Sequence, residues 1–184
     1  MLESKGVSFN TVNMFVKTKF NSRFDEWISS LPPKSRNIHS KRIIPGLWYP
    51  SYDAIVAPTE KVIDMFYNGD KIASWEMGQF NASVTLTRIY SLFIKIATPE
   101  FLIKRTAAIM HTFYRPAKAE ALKNKKGAIL RITEFGEPNY LLELRVGGFI
   151  QRALEICGCK FIKIEIKKSL AKGDNCIEYM GTWE

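Results

Sequence analysis

Cys157, Cys159 and Cys176, with His39 and His111, make up the whole thiol and imidazole chemistry of this 184-residue chain. Cysteines gathered so close to the C-terminus could form a metal clamp, a redox pair, or parts of a hairpin that tolerates small apolar side chains. Cys157-Gly158-Cys159 leaves a single residue between thiols, whereas a zinc knuckle needs about two to four to close tetrahedrally. Cys157 ends an apolar helical stripe and Cys159 opens a strand, so buried, inert thiols are expected and no metal site is assigned. His39 stands in a basic segment and reads as solvated. His111 lies on an amphipathic helix, where a packed or surface role is expected and a haem or metal ligand is the sharper alternative. Two imidazoles give little general-base capacity near neutral pH. The zinc-peptidase, nucleophile-elbow, phosphate-loop and dinucleotide patterns are all missing, so no catalytic residue and no enzymatic activity are expected.

Basic residues number 27 against 18 acidic ones, a formal charge of +9. The excess clusters in residues 34–42, 123–126 and 167–172, all of which read as loops or turns. Such loops attract phosphates or anionic lipid heads, or simply solubilise the protein; Lys125, Lys126, Lys168 and Lys172 are the candidate basic surface. A content of 46% hydrophobic and 12% aromatic residues is that of a globular protein. The length suits one domain over residues 1–184, with residues 1–9 as a disordered tail. No apolar run approaches the ~18 residues of a membrane span and no leader pattern opens the chain, so a cytoplasmic location with reduced thiols is expected.

The elements that must position these groups follow from periodicity. Val12, Phe15, Val16 and Phe20, then Phe24, Trp27, Ile28 and Leu31, recur at helical spacing before Pro32-Pro33 stops them. A third helix runs from Pro50-Ser51 to Asn68-Gly69, with Pro58 as a kink or its true start. The longest candidate, Asp70 to Ala97, is apolar around most of its circumference, which predicts burial on several sides. Thr98-Pro99-Glu100 caps a fifth helix that ends before Pro116. Past Pro116 the period becomes two, giving a hairpin that turns near Asn124–Gly127; a helix ending at Gly158 and a second hairpin around Lys172–Asn175 follow. This order predicts an α+β domain whose antiparallel sheet has helices on one face.

Taken in order, "WYP" (48–50), Gly78 with Ala82, "IYSLFIKIATPEFLIKR", "GGFIQRALEICGCK" and "KGDNCIEYMGTW" resemble the blocks of a bacterial haem-NO-binding-like family. That family is placed in the superfamily of 4-vinyl reductase-type domains and TRAPP vesicle-tethering subunits. The resemblance covers roughly residues 10 to 184. It implies a helical bundle on a four-stranded antiparallel sheet, frequent dimerisation, and an apolar cavity between helices and sheet. In 4-vinyl reductase-type relatives the last hairpin carries two zinc-binding cysteines, whose positions fall here on Ser169 and Ile177. Haem-binding relatives use a Tyr-x-Ser-x-Arg clamp, whereas here Tyr49-Pro50-Ser51 is followed by Asp53. Neither zinc nor haem is therefore expected.

Two functions are consistent with these residues. The first is a non-enzymatic sensor or carrier that binds an apolar small molecule and signals through a homodimer or a protein partner. Its candidate pocket residues are Trp75, Phe80, Tyr90, Phe93, Ile109, His111, Phe113 and Tyr114; filling the core is their structural alternative. The second is a TRAPP-type scaffold whose basic tips meet an acidic protein. Membrane surfaces and nucleic acid are less favoured partners.

Overall fold

The computed structural model describes residues 1–89, 98–124 and 127–184; side chains are described for these except at positions 87–89, 100 and 109. Strand β1 (Glu3–Lys5) leads into α1 (Gly6–Phe9), α2 (Thr11–Phe20), α3 (Phe24–Ser30) and α4 (Pro33–His39). After β2 (Trp48–Pro50), a π-helical turn (Tyr52–Val56) continues into α5 (Ala57–Phe66), which stops where Asn68 and Gly69 take positive φ. Next come α6 (Ile72–Ile89), α7 (Pro99–Phe113), β3 (Tyr114–Arg115), β4 (Lys118–Asn124) and β5 (Gly127–Glu134). Helix α8 (Tyr140–Ile156) and strands β6 (Lys163–Lys168) and β7 (Ile177–Thr182) close the chain.

Strands β4 to β7 form one antiparallel sheet in the order β4-β5-β7-β6. Its inner face follows the period of two: Ala128, Leu130 and Ile132 are buried opposite Gly181, Tyr179 and Ile177. On the outer face Arg131 pairs across strands with Glu178 at 3.0 Å and Glu120 at 3.1 Å. Helix α7 covers β4 and β5, while α8 touches β6 and β7.

The expectation of a single sheet needs correction, because a second, three-stranded sheet of order β2-β1-β3 stands beside the four-stranded one. Residues 1–9 are not a tail: Ser4 pairs with Tyr49 and with Tyr114, and Leu2 and Phe9 are buried. Sequence reading missed this strand because its three residues are too few to show a period. Residues 34–42, read as a basic loop, contain α4 instead: Pro33 starts the helix, Ser35 and His39 face inward, and Arg36 donates to the Leu31 carbonyl at 3.0 Å. The expected extension of the long helix through residues 90–97 lies outside the described residues.

Helices α6 and α8 cross so closely that glycine is required at the contact. A Cβ on Gly78 would overlap the carbonyl oxygen of Arg145, and one on Gly148 would overlap that of Trp75. Because both obstacles are backbone, they cannot swing aside. Gly148→Ala is expected to destabilise the protein by about 3 kcal/mol, the upper end of ordinary overpacking costs. Urea unfolding checks this; a midpoint unchanged from wild type would contradict the crossing.

Candidate functional site: a core cavity with a buried guanidinium

Four elements converge on a partly enclosed cavity of ≈ 80 Å³. Val7 and Ser8 come from α1, and Asn81 and Thr85 from α6. Thr106, Met110 and Phe113 come from α7 with Tyr114 after it, and Arg145, Val146 and Phe149 from α8. The small sheet positions two of these walls, because β1 carries α1 and its pairing of Ser4 with Tyr114 fixes where α7 ends.

Arg145 is the unusual member. It is 2% exposed, and its Nε and Nη1 have no hydrogen-bond partner. Only Nη2 is engaged, with long contacts to the Ser8 carbonyl (3.5 Å) and Thr11 Oγ1 (3.4 Å). No carboxylate pairs with it among the described residues. Burial pulls the guanidinium below its ordinary value, with Tyr114 acting the other way. Burial likewise raises the Tyr114 phenol, opposed by the charge of Arg145 and by the Ser8 hydroxyl. Asn81 is engaged at both amide atoms: its Nδ2 donates to the Ser8 carbonyl at 3.2 Å, and its Oδ1 accepts from Thr11 and Thr85, both at 3.1 Å.

Of the residues predicted to form a pocket, Phe113 and Tyr114 line the cavity. Trp75 does not: its indole sits in the α6–α8 crossing against Gly147 and donates to Gln151 at 2.8 Å. Phe80 packs edge-on against Phe15, 5.5 Å between centroids. His111 is exposed near the end of α7. Tyr90, Phe93 and the Ile109 side chain lie outside the described residues, as do Lys125 and Lys126. Lys168 is exposed, and Lys172 lies over the Tyr140 ring at 4.8 Å. Cys176 is buried and Cys157 and Cys159 are half-buried, Cys157 with its thiol pushed up by burial. Among the described residues no group of three or more His, Cys, Asp or Glu could hold a metal, and no helix is long and apolar enough to cross a membrane.

Sequence reading missed Arg145, although a signal was there. Leu142, Arg145, Val146 and Phe149 follow the i, i+3, i+4, i+7 spacing of one helical face; a charge on such a stripe marks a buried ion. His39 was also misread. It is 2% exposed, with Nδ1 2.7 Å from Asn13 Oδ1 and Nε2 3.0 Å from the Ala54 carbonyl.

No protein-family model and no curated protein sequence matches the chain. Solved structures do. An H-NOX protein from S. oneidensis in the Fe(II)NO ligation state superposes with TM-score 0.75 at 16% identity, over 98% of this chain and 99% of that one. The Fe(II) unliganded H-NOX protein from K. algicida gives 0.71 at 11%, over 98% and 96%. A mutant of T. tengcongensis H-NOX gives 0.73 at 13%, over 98% and 97%.

The likeness corrects two expectations. The fold is not that of TRAPP subunits or 4-vinyl reductase-type domains. Haem was not expected, yet the fold is one whose solved examples carry iron, so the missing clamp does not exclude the group. The described side chains around this cavity nevertheless do not fit a porphyrin as they stand. Its ≈ 80 Å³ is well below the ~300 Å³ at which drug-sized sites begin. No imidazole lines it, and Tyr114 and Met110 are the lining side chains with iron-ligand chemistry. At this level of identity the likeness speaks to architecture alone: the fold of this chain is the H-NOX fold.

Proposed function

We propose that the chain is a non-catalytic sensor whose ligand occupies the cavity between α1, α6, α7 and α8, and which signals through a homodimer or a protein partner. The observation that carries this reading is the cavity itself, placed where four elements meet, so that filling it acts on all of them at once. A ligand held there shifts the population of arrangements in which α7 and α8 stand closer or further apart. The mainly apolar wall favours a ligand that is largely apolar.

Xenon, a neutral apolar probe of cavities, tests the reading. Its NMR shift is expected to change saturably with wild-type protein. Thr106→Phe, which fills the space from α7 and leaves the arginine itself in place, should abolish the change while circular dichroism stays native. An equal response from both proteins would remove the cavity from the mechanism. Titration with haemin belongs in the same experiment: a Soret band that is lost in Thr106→Phe would put porphyrin at this cavity, and a band indifferent to the substitution would put it elsewhere.

A further inference from the structure

The guanidinium of Arg145 points to the class of ligand, an inference that rests on the cavity being a ligand site. We propose that the cavity takes a small monocarboxylate, its carboxylate against Arg145 and its short alkyl tail among Met110, Val146 and Phe149. Nε and Nη1 are buried at the cavity without a partner, while Nη2 anchors the group to α1 and α2. A buried cation without a counterion is rare in proteins, because buried charges are normally paired. An anionic ligand supplies the missing half as charge-assisted hydrogen bonds. Tyr114 lines the same cavity and brings a hydroxyl as a further donor. Arg145, the one cationic side chain among the described lining residues, and the apolar walls favour one negative charge over the two of a phosphate or sulfate. Size narrows the class further: a cavity of ~150 Å³ holds benzene, so ≈ 80 Å³ suits about three to five heavy atoms, the range of acetate and propionate.

The test is thermal melting of the full chain with sodium propionate, with sodium chloride at equal ionic strength, and with 1-propanol as the neutral counterpart. Propionate is expected to raise the melting temperature saturably beyond chloride. Arg145→Met should weaken that effect by about tenfold or more, in keeping with the loss of a charge-assisted contact, while the response to 1-propanol stays the same. Arg145→Lys should retain part of the propionate effect, a rescue that a purely structural arginine would not show. A propionate effect that survives intact in Arg145→Met would overturn the assignment of the head group. Stabilisation by 1-propanol with none by propionate would sink the carboxylate class and leave the cavity standing as a ligand site. No response to either probe, combined with no effect of Thr106→Phe on xenon, would bring down both readings.

Discussion

Arg145→Met is expected to make the ligand-free protein more stable, by about 2 kcal/mol, which for a chain of this length raises the melting temperature by roughly 4–8 °C. The wild-type arginine buries a charge that no carboxylate neutralises among the described residues. The effective penalty for burying an ion is several kcal/mol even after relaxation. Methionine follows nearly the same path through the core and its thioether adapts to irregular space. Little is lost in exchange, because Arg145 makes only two long contacts through Nη2. The Ser8 carbonyl keeps its hydrogen bond from Asn81 at 3.2 Å. Differential scanning calorimetry without added ligand reads the result directly. A lower melting temperature would mean that the arginine is satisfied in a way these contacts do not show, and the residue would then be a structural tie. A higher one would identify a group that weakens the empty protein, as binding sites commonly do.

Acidification should cost the protein roughly 3 kcal/mol between pH 6.5 and pH 4 through His39 alone, taking 1.36 kcal/mol per pH unit. The ring is held down to about 4 from an ordinary 6.5, chiefly by burial, with the positive charge of Arg145 adding to it and the Ala54 carbonyl opposing. Asn13 Oδ1 also offers an acceptor at 2.7 Å, so the hydrogen bonds favour the charged ring while burial and like charge favour the neutral one; the latter pair prevails. The sign follows from proton counting. Below its ordinary value the unfolded histidine binds a proton that the folded one refuses, so unfolding takes up protons and is favoured by acid. The contribution to stability is complete above pH 6.5, declines as pH falls, and is gone below about pH 4. His39→Gln, which keeps a polar side chain without a titration, should flatten the stability profile across that window. Arg145→Met should flatten it partly, since one of the two forces holding the ring neutral is removed. Urea midpoints measured in half-unit steps of pH decide; an unchanged slope in His39→Gln would assign the acid sensitivity to other groups.

How much of this was visible beforehand differs sharply between elements and site. The two hairpins were legible because their strands alternate over six residues or more and their turns carry Asn, Gly and Asp. Helix α7 was legible from its cap, since Thr98 accepts from the Phe101 backbone N–H at 3.2 Å and Pro99 occupies the first helical position. Strand β1 was not, because a three-residue strand has no period to detect and exists only by pairing with β2 and β3, which lie far along the chain. The basic segment before α5 misled for a related reason. Its charges suggested solvent, yet the inward side of α4 is set by Ser35 and His39, and only contact with α2 and the π-helical turn reveals which side that is. Aromatic size was likewise a poor guide to the cavity: Trp75 and Phe80 are spent on packing, and the cavity is edged by Thr85, Thr106 and Asn81.

By itself the sequence determined what neighbouring residues decide among themselves: where most helices and strands lie, how they are capped, and which face of each is apolar. Tertiary structure decided which of those faces meet around a space and which polar groups are trapped there. An arginine on an apolar stripe is a local fact, but its lack of a counterion among the described residues depends on every element packed against it. Burial of charge is a long-range property of the fold, and for that reason the cavity came into view only once α1, α6, α7 and α8 were seen together.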